Sequence, residues 1–133
     1  MFTSEQLTEG EIYTRNDLRE QFNIKDATIN TGVFRPAGYR SIWLFVTEKK
    51  PKDLEHLQDR LEGDTLYWDG QPTGHTDKRI IDHEAEGYEL LVFYRKHKTE
   101  HRKSGFRYEG RFRYVSHRDG QPSHFVLKRV KAF

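Results

Sequence analysis

Two strand-length stretches rich in apolar residues stand out in an otherwise polar chain, the first of them unbroken. Ser41–Thr47 reads Ser-Ile-Trp-Leu-Phe-Val-Thr, and Tyr88–Arg95 reads Tyr-Glu-Leu-Leu-Val-Phe-Tyr-Arg. Both have strand length, and neither alternates. Continuous hydrophobicity over that length marks a strand covered on both faces, at the centre of a sheet. The rest of the chain must supply that cover from limited material: of 133 residues, 34% are hydrophobic and 33% charged. Aromatic residues reach 14% and must provide much of the buried area, Trp43 among them. This length suits one domain, residues 1–133, with a modest core.

Shorter elements are spaced around the two runs. Glu11-Ile12-Tyr13 reads as a short strand. Thr14 with Asp17 three positions later is a capping pattern, predicting a helix to about Phe22 with Leu18 and Phe22 inward. Asp26–Tyr39 reads as irregular. Glu48–Asp53 is a charged loop, and Asp53–Leu61 a short amphipathic helix with Leu54, Leu57 and Leu61 at helical spacing. Thr65–Trp68 is a strand that ends in a loop signalled by Asp69-Gly70 and Pro72. His75–Gly87 predicts a helix that Thr76 caps and Gly87 stops, with Ile80 and Ile81 inward. Lys96–Gly105 is a basic loop. Phe106–Val115 alternates, with Phe106, Tyr108, Gly110, Phe112 and Tyr114 on one side and Gly110 marking a bulge or bend. Asp119-Gly120 is a turn, and Phe125–Lys131 the last strand. Asp-Gly-Gln-Pro occurs at 69–72 and again at 119–122, with no wider repeat. The order implies an α+β fold: a small, twisted, partly open β-barrel of five to six strands flanked by two to three short helices.

Several chemistries are not legible. There is no Cys, which excludes disulfides and thiol catalysis. No apolar run approaches the roughly 20 residues that cross a bilayer. The start Met1-Phe2-Thr3-Ser4 lacks a signal peptide's pattern, so a cytoplasmic location is expected. No phosphate loop, dinucleotide fingerprint or nucleophile elbow is spelled. His97 and His101 lie in a loop-like run, and His75 and His83 bracket a predicted helix; none has a carboxylate at recognisable ligand spacing. The expectation is a binding module with no catalytic residues, metal or cofactor. A metal-dependent nuclease is the enzymatic alternative.

Charge points to a polyanion. Residues 1–94 hold 11 Lys/Arg against 18 Asp/Glu, whereas residues 95–133 hold 12 against 3. The basic part interleaves cations with aromatics, which favours a nucleic-acid partner over mutual neutralisation of the two parts. Arg102, Lys103, Arg107, Arg111 and Arg113 are the candidate phosphate contacts. Arg15 at a helix start and Arg35 near Tyr39 are two more. Tyr67 and Trp68 sit where a strand gives way to a loop. They offer π-faces to a flat ring, and Asp69 and Gln71 offer groups that read its edge. Asn30, in a polar loop, is a further candidate for that pocket. A core Trp followed by an ordinary turn is the plain alternative.

Tyr13-Thr14-Arg15-Asn16-Asp17-Leu18, Asn30-Thr31-Gly32-Val33-Phe34, Trp43–Thr47, Gly63–Gln71, Leu90–Arg95 and Phe106–Gly110 occur in this order and span almost the whole chain. The pattern resembles a domain appended to bacterial restriction-type proteins, beside HNH nuclease or helicase modules. That domain is similar to the PUA-like superfamily of small β-barrels, which includes readers of modified bases. The resemblance implies recognition of nucleic acid, double-stranded DNA before RNA, with a modified or flipped base held near Tyr67, Trp68, Asp69 and Gln71, and Arg15 and Asn30 nearby. No nuclease or helicase segment is legible in this chain, so such a module is an expected partner, as a domain or a subunit. No membrane partner is expected.

Overall fold

The computed structural model describes residues 1–48, 59–71 and 73–130. At its centre β3 (Ser41–Thr47) and β6 (Glu89–Arg95) run side by side in parallel. Their side chains alternate between two cores. Ile42, Leu44, Val46, Leu90, Val92 and Tyr94 face the first. Trp43, Phe45, Leu91 and Phe93 face the second. All are buried, as unbroken hydrophobicity requires. The first core is completed by Leu66 and Trp68 of β5 (Thr65–Asp69), Phe112 of β7 (Phe106–Arg118), Phe125 and Leu127 of β8 (His124–Arg129), and Ile80 of α2 (Asp77–Ile81). The second is covered by Leu18 and Phe22 of α1 (Arg15–Phe22), Ile29 of a 3-10 turn over Ala27–Asn30, and Phe34 of β2 (Val33–Phe34). Trp43 is its hub, with Phe22, Phe34, Phe45 and Phe93 ring centroids at 5.4 to 6.3 Å. Its indole N–H donates to Thr3 Oγ1 at 2.9 Å, which satisfies the buried polar end of the ring.

Among the described residues eight strands form one sheet, in the order β2-β3-β6-β7-β8-β5 and then β4 (Arg60–Glu62), with β1 (Ile12–Tyr13) on the start of β7. The sequence predicts only five or six strands. The additions are β2, two residues inside the stretch read as irregular, and β4 (Arg60–Glu62). The predicted helix over Asp53–Leu61 falls mostly on residues outside the described ones. Its last residues, Arg60 and Leu61, are strand and pair with Tyr67 and Leu66. The sheet curves so that β2, β3, β6, β7, β8 and β5 all point side chains into the first core. It does not close: β2 and β4 end the order unpaired with each other. The fold is thus α+β with an open, curved sheet.

Two further expectations change. The helix predicted over His75–Gly87 is helical only over Asp77–Ile81. Beyond it the chain makes turns, with His83 buried and its Nδ1 2.7 Å from Ile80 O. Ile80 and Ile81 are the apolar pair available to hold a helix there, too little to extend it. The second change concerns β7. Val92 pairs with Gly110 but Phe93 pairs with Tyr108, so Glu109 is an extra residue. The bulge forms where Gly110 adopts φ +92° and where a Cβ would meet Glu9 Oε1 at 2.7 Å. It shifts the alternation by one. Phe106 and Tyr108 enter the second core, whereas Phe112 enters the first, with Tyr114 packed against it. The five residues expected on one side are divided between two faces.

The α1 start matches the sequence reading in detail. Thr14 Oγ1 accepts from the Asp17 N–H at 2.9 Å, and Asp17 Oδ2 accepts from the Thr14 N–H at 3.0 Å. Asn23, in the left-handed conformation, ends the helix. No helix of the described residues is long and apolar enough to cross a membrane.

Candidate nucleic-acid interface

The period-two alternation of β5 decides what Tyr67 and Trp68 can do. Leu66 and Trp68 point into the first core, while Thr65, Tyr67 and Asp69 are half-buried on the opposite face. Trp68 is only 4% exposed, and its ring lies 5.4 Å from that of Phe125. Tyr67 is capped by a cation instead. Arg60, its cross-strand partner on β4, places its guanidinium 4.2 Å from the ring centroid and is held by Glu62 Oε1 at 2.7 Å. Asp69 is fixed twice. Its Oδ1 lies 2.7 Å from His124 Nδ1 across β8, and its N–H donates to the buried Asp59 Oδ1 at 2.7 Å.

These side chains border a groove of about 520 Å³ at one end of β5, β8 and β7. Tyr67, Trp68 and Asp69 line it, joined by Arg60, His117, Arg118, His124, Phe125 and Val126. Its volume falls in the range of small-ligand sites. His117 has both ring nitrogens engaged, Nδ1 with the Tyr114 hydroxyl at 2.6 Å and Nε2 with Asp119 at 3.1 Å. Of the predicted pocket residues, Gln71 and Asn30 are not in the lining. The Gln71 side-chain oxygen Oε1 accepts from the Thr76 hydroxyl at 3.3 Å. The Asn30 side chain accepts from Arg19 of α1.

The predicted phosphate contacts separate into two sets. Arg15 is largely buried, with Nε donating to Ile29 O at 2.9 Å and its guanidinium 4.5 Å from the Phe45 centroid and 5.1 Å from that of Phe106. Burial first, then the nearby Arg95 and Arg19, lowers its pKa to about 10. This arrangement ties the 3-10 turn to α1. Arg102 pairs with Asp17 at 3.1 Å, and Arg107 donates to both carboxylate oxygens of Glu109 at 2.8 Å. Arg35 is exposed, 5.4 Å from the Tyr88 ring, and Lys103 is exposed in its loop. Arg111 and Arg113 are exposed on β7 and border a second hollow of about 420 Å³ with Tyr88 and Phe2.

Sequence reasoning missed Arg60, His117, Arg118, His124, Phe125 and Val126. One signal was available. Each Asp-Gly-Gln-Pro stretch supplies an aspartate to a histidine of the groove: Asp69 lies 2.7 Å from His124 Nδ1, and Asp119 lies 3.1 Å from His117 Nε2. The repeat therefore brackets the groove, although each copy reads in isolation as a plain turn.

No family model matches the chain, and no curated protein matches it. Among solved structures, the modification-dependent TagI restriction endonuclease matches with a TM-score of 0.56 and 19% identity, over 94% of this chain and 50% of that one. The DNA modification-dependent restriction endonuclease AspBHI matches with a TM-score of 0.52 and 16% identity, over 79% of this chain and 66% of that one. The chain thus spans half the length of the first and just under two thirds of the second. At these identities the likeness is one of fold, and both proteins are named as modification-dependent restriction endonucleases.

Proposed function

We propose that this chain is the DNA-binding specificity module of a restriction or defence system, and that it reads a modified or extruded base in the groove beside Tyr67. The reading is carried by one observation: a groove of about 520 Å³ combines an aromatic-guanidinium stack, Tyr67 under Arg60, with a fixed polar pair, Asp69 and His124. The fold likeness to two modification-dependent restriction endonucleases supports it. A base needs a flat surface to stack on and oriented groups to read its edge. Tyr67 and Arg60 supply the first, Asp69 and His124 the second. Trp68 holds the floor of the groove from within the core. Extruding a base costs a few kcal/mol, least where pairing is already weakened, so the site favours modified or mispaired bases. A PUA-like relationship and a nuclease or helicase partner belong to the same proposal.

The test is a binding screen of duplexes that differ in a single modified base, with RNA of equal sequence as comparator. At least one modified duplex should bind about tenfold tighter than its plain counterpart, a margin of about 1.4 kcal/mol. Tyr67→Ala should remove most of that margin. Equal affinity for every duplex, or a margin that survives Tyr67→Ala, would overturn the assignment.

A further inference from the structure

We propose that the outer face of β7 and β8 carries the sugar-phosphate backbone of double-stranded DNA, along a tract from Arg118 at the groove through Lys128 and Arg113 to Arg111. The inference rests on the base-site reading of the groove and adds the surface on which the rest of the ligand lies.

The second core covers β7 only as far as Tyr108. Beyond the Glu109 bulge Arg111, Arg113 and Arg118 are exposed. Lys128 of β8 is exposed as well and lies directly opposite Arg113. Like charges facing each other across two strands cost stability. Four other arginines are held by carboxylates: Arg60 by Glu62, Arg102 by Asp17, Arg107 by Glu109, and Arg129 by Asp64 and Glu109. Among the described residues none of Arg111, Arg113, Arg118 and Lys128 makes an ion pair. Four exposed cations without an ion pair, two of them facing each other across the strands, are complementary to a polyanion.

A second register shift aligns it. Tyr114 pairs with Leu127 but Ser116 pairs with Val126, so Val115 is extra. Without it, alternation from Arg113 would turn Arg118 inward. With it, Arg118 and Arg113 share the outer face, and Arg118 also lines the groove. From Arg111 to Arg118 is about 20 Å at roughly 3.3 Å per residue with Val115 adding no length, the axial length of about six phosphates on one strand of B-form DNA. The tract runs into the groove. A ligand with a charged backbone and flat side groups can occupy both at once, which favours DNA over an acidic protein.

The test is the salt dependence of duplex affinity, between about 50 and about 200 mM salt, for the wild-type chain and two double variants. Arg113→Gln with Lys128→Gln should lower the slope of log affinity against log salt by about 1.8, two contacts at about 0.9 each. The affinity lost over that salt range then shrinks about twelvefold. Modified and plain duplexes should weaken together, leaving their ratio intact. Arg102→Gln with Lys103→Gln, in the loop beside β1 and α1, should leave the slope unchanged. Because the tract pair repels, the free Arg113→Gln, Lys128→Gln protein should melt no lower than wild type. An unchanged slope in the tract variant, an equal drop in the control, or a lower melting temperature overturns the tract. Failure of the base-site reading looks different: the slope falls as expected, but wild type shows no preference for any modified duplex. Wild type that binds no duplex at the lower salt overturns both.

Discussion

Tyr67 and Trp68 are adjacent in sequence and serve opposite faces of β5. A strand cannot point neighbouring side chains to one side, so a ligand stacks on Tyr67 or on Trp68, not between them. The burial of Trp68 against Phe125, Leu66 and Leu127 makes its ring part of the first core. Truncating such a ring leaves a large cavity. Trp68→Ala should therefore destabilise the chain by about 3–5 kcal/mol in urea unfolding. A loss under about 1 kcal/mol would mean that the indole is not held by the core. Tyr67, half-buried under Arg60, is accordingly the cleaner probe of binding. Arg15 teaches a similar lesson. Its position before a helix suggested a phosphate contact, yet its planar group lies against Phe45 and Phe106 and donates to backbone carbonyls. A lysine could not reproduce both the stacking and the directed donors.

At the scale of elements, α1 was fully legible because its signals are local: a Thr cap, an acid at the third position and two apolar residues four apart. The Thr14 backbone N–H has the largest effect on the Asp17 carboxyl; burial, the next largest, opposes it, and with Arg102 and the Thr14 hydroxyl added the carboxyl is held below the usual aspartate range. A carboxyl whose pKa is lowered by folding stabilises the fold above its unfolded pKa, and that stability is lost as pH falls through the folded value. Asp17→Asn should thus cost about 0.5–1 kcal/mol at neutral pH, and the gap from wild type should narrow below roughly pH 4. Urea unfolding of both proteins near pH 7 and near pH 3 measures it; a gap that stays constant would show that the charge contributes nothing. The central strands were legible for the opposite reason, since burial on both faces leaves an unbroken run. What was lost lay between these extremes. Two residues of β2 carry no periodicity, and α2 has five residues where thirteen looked helical. The Glu109 bulge breaks the parity rule, so a correct reading of alternation along β7 still assigned Phe112 and Tyr114 to the wrong company.

For the whole molecule, the legible part of the site was its centre. Tyr67, Trp68 and Asp69 fall within eleven residues of sequence and do line one groove. Their partners His117, Arg118, His124 and Phe125 lie about fifty residues away, and only the pairing of β5 with β8 and β8 with β7 brings them across. No local pattern encodes that register, which is why Arg111 and Arg113 were named among the phosphate candidates but Arg118 and Lys128, which only the pairing of β7 with β8 adds to their face, were not. The groove and the tract together make a prediction about stability, independent of any binding titration. A ligand that binds only the folded chain stabilises it by RT ln(1 + [L]/Kd), about 2.7 kcal/mol at a hundredfold excess over Kd. For a domain of this size each kcal/mol corresponds to a few degrees of melting temperature. In thermal unfolding at low salt, plain duplex should raise the melting temperature through the tract alone, and modified duplex should raise it further through the groove. Adding salt should erase the plain-duplex shift first, because counterion release drives only the backbone contacts. Tyr67→Ala should retain the plain-duplex shift and lose the increment from the modified base. Shifts that are equal for the two duplexes, or that resist salt equally, would separate the groove from the tract and leave the two surfaces without a common ligand.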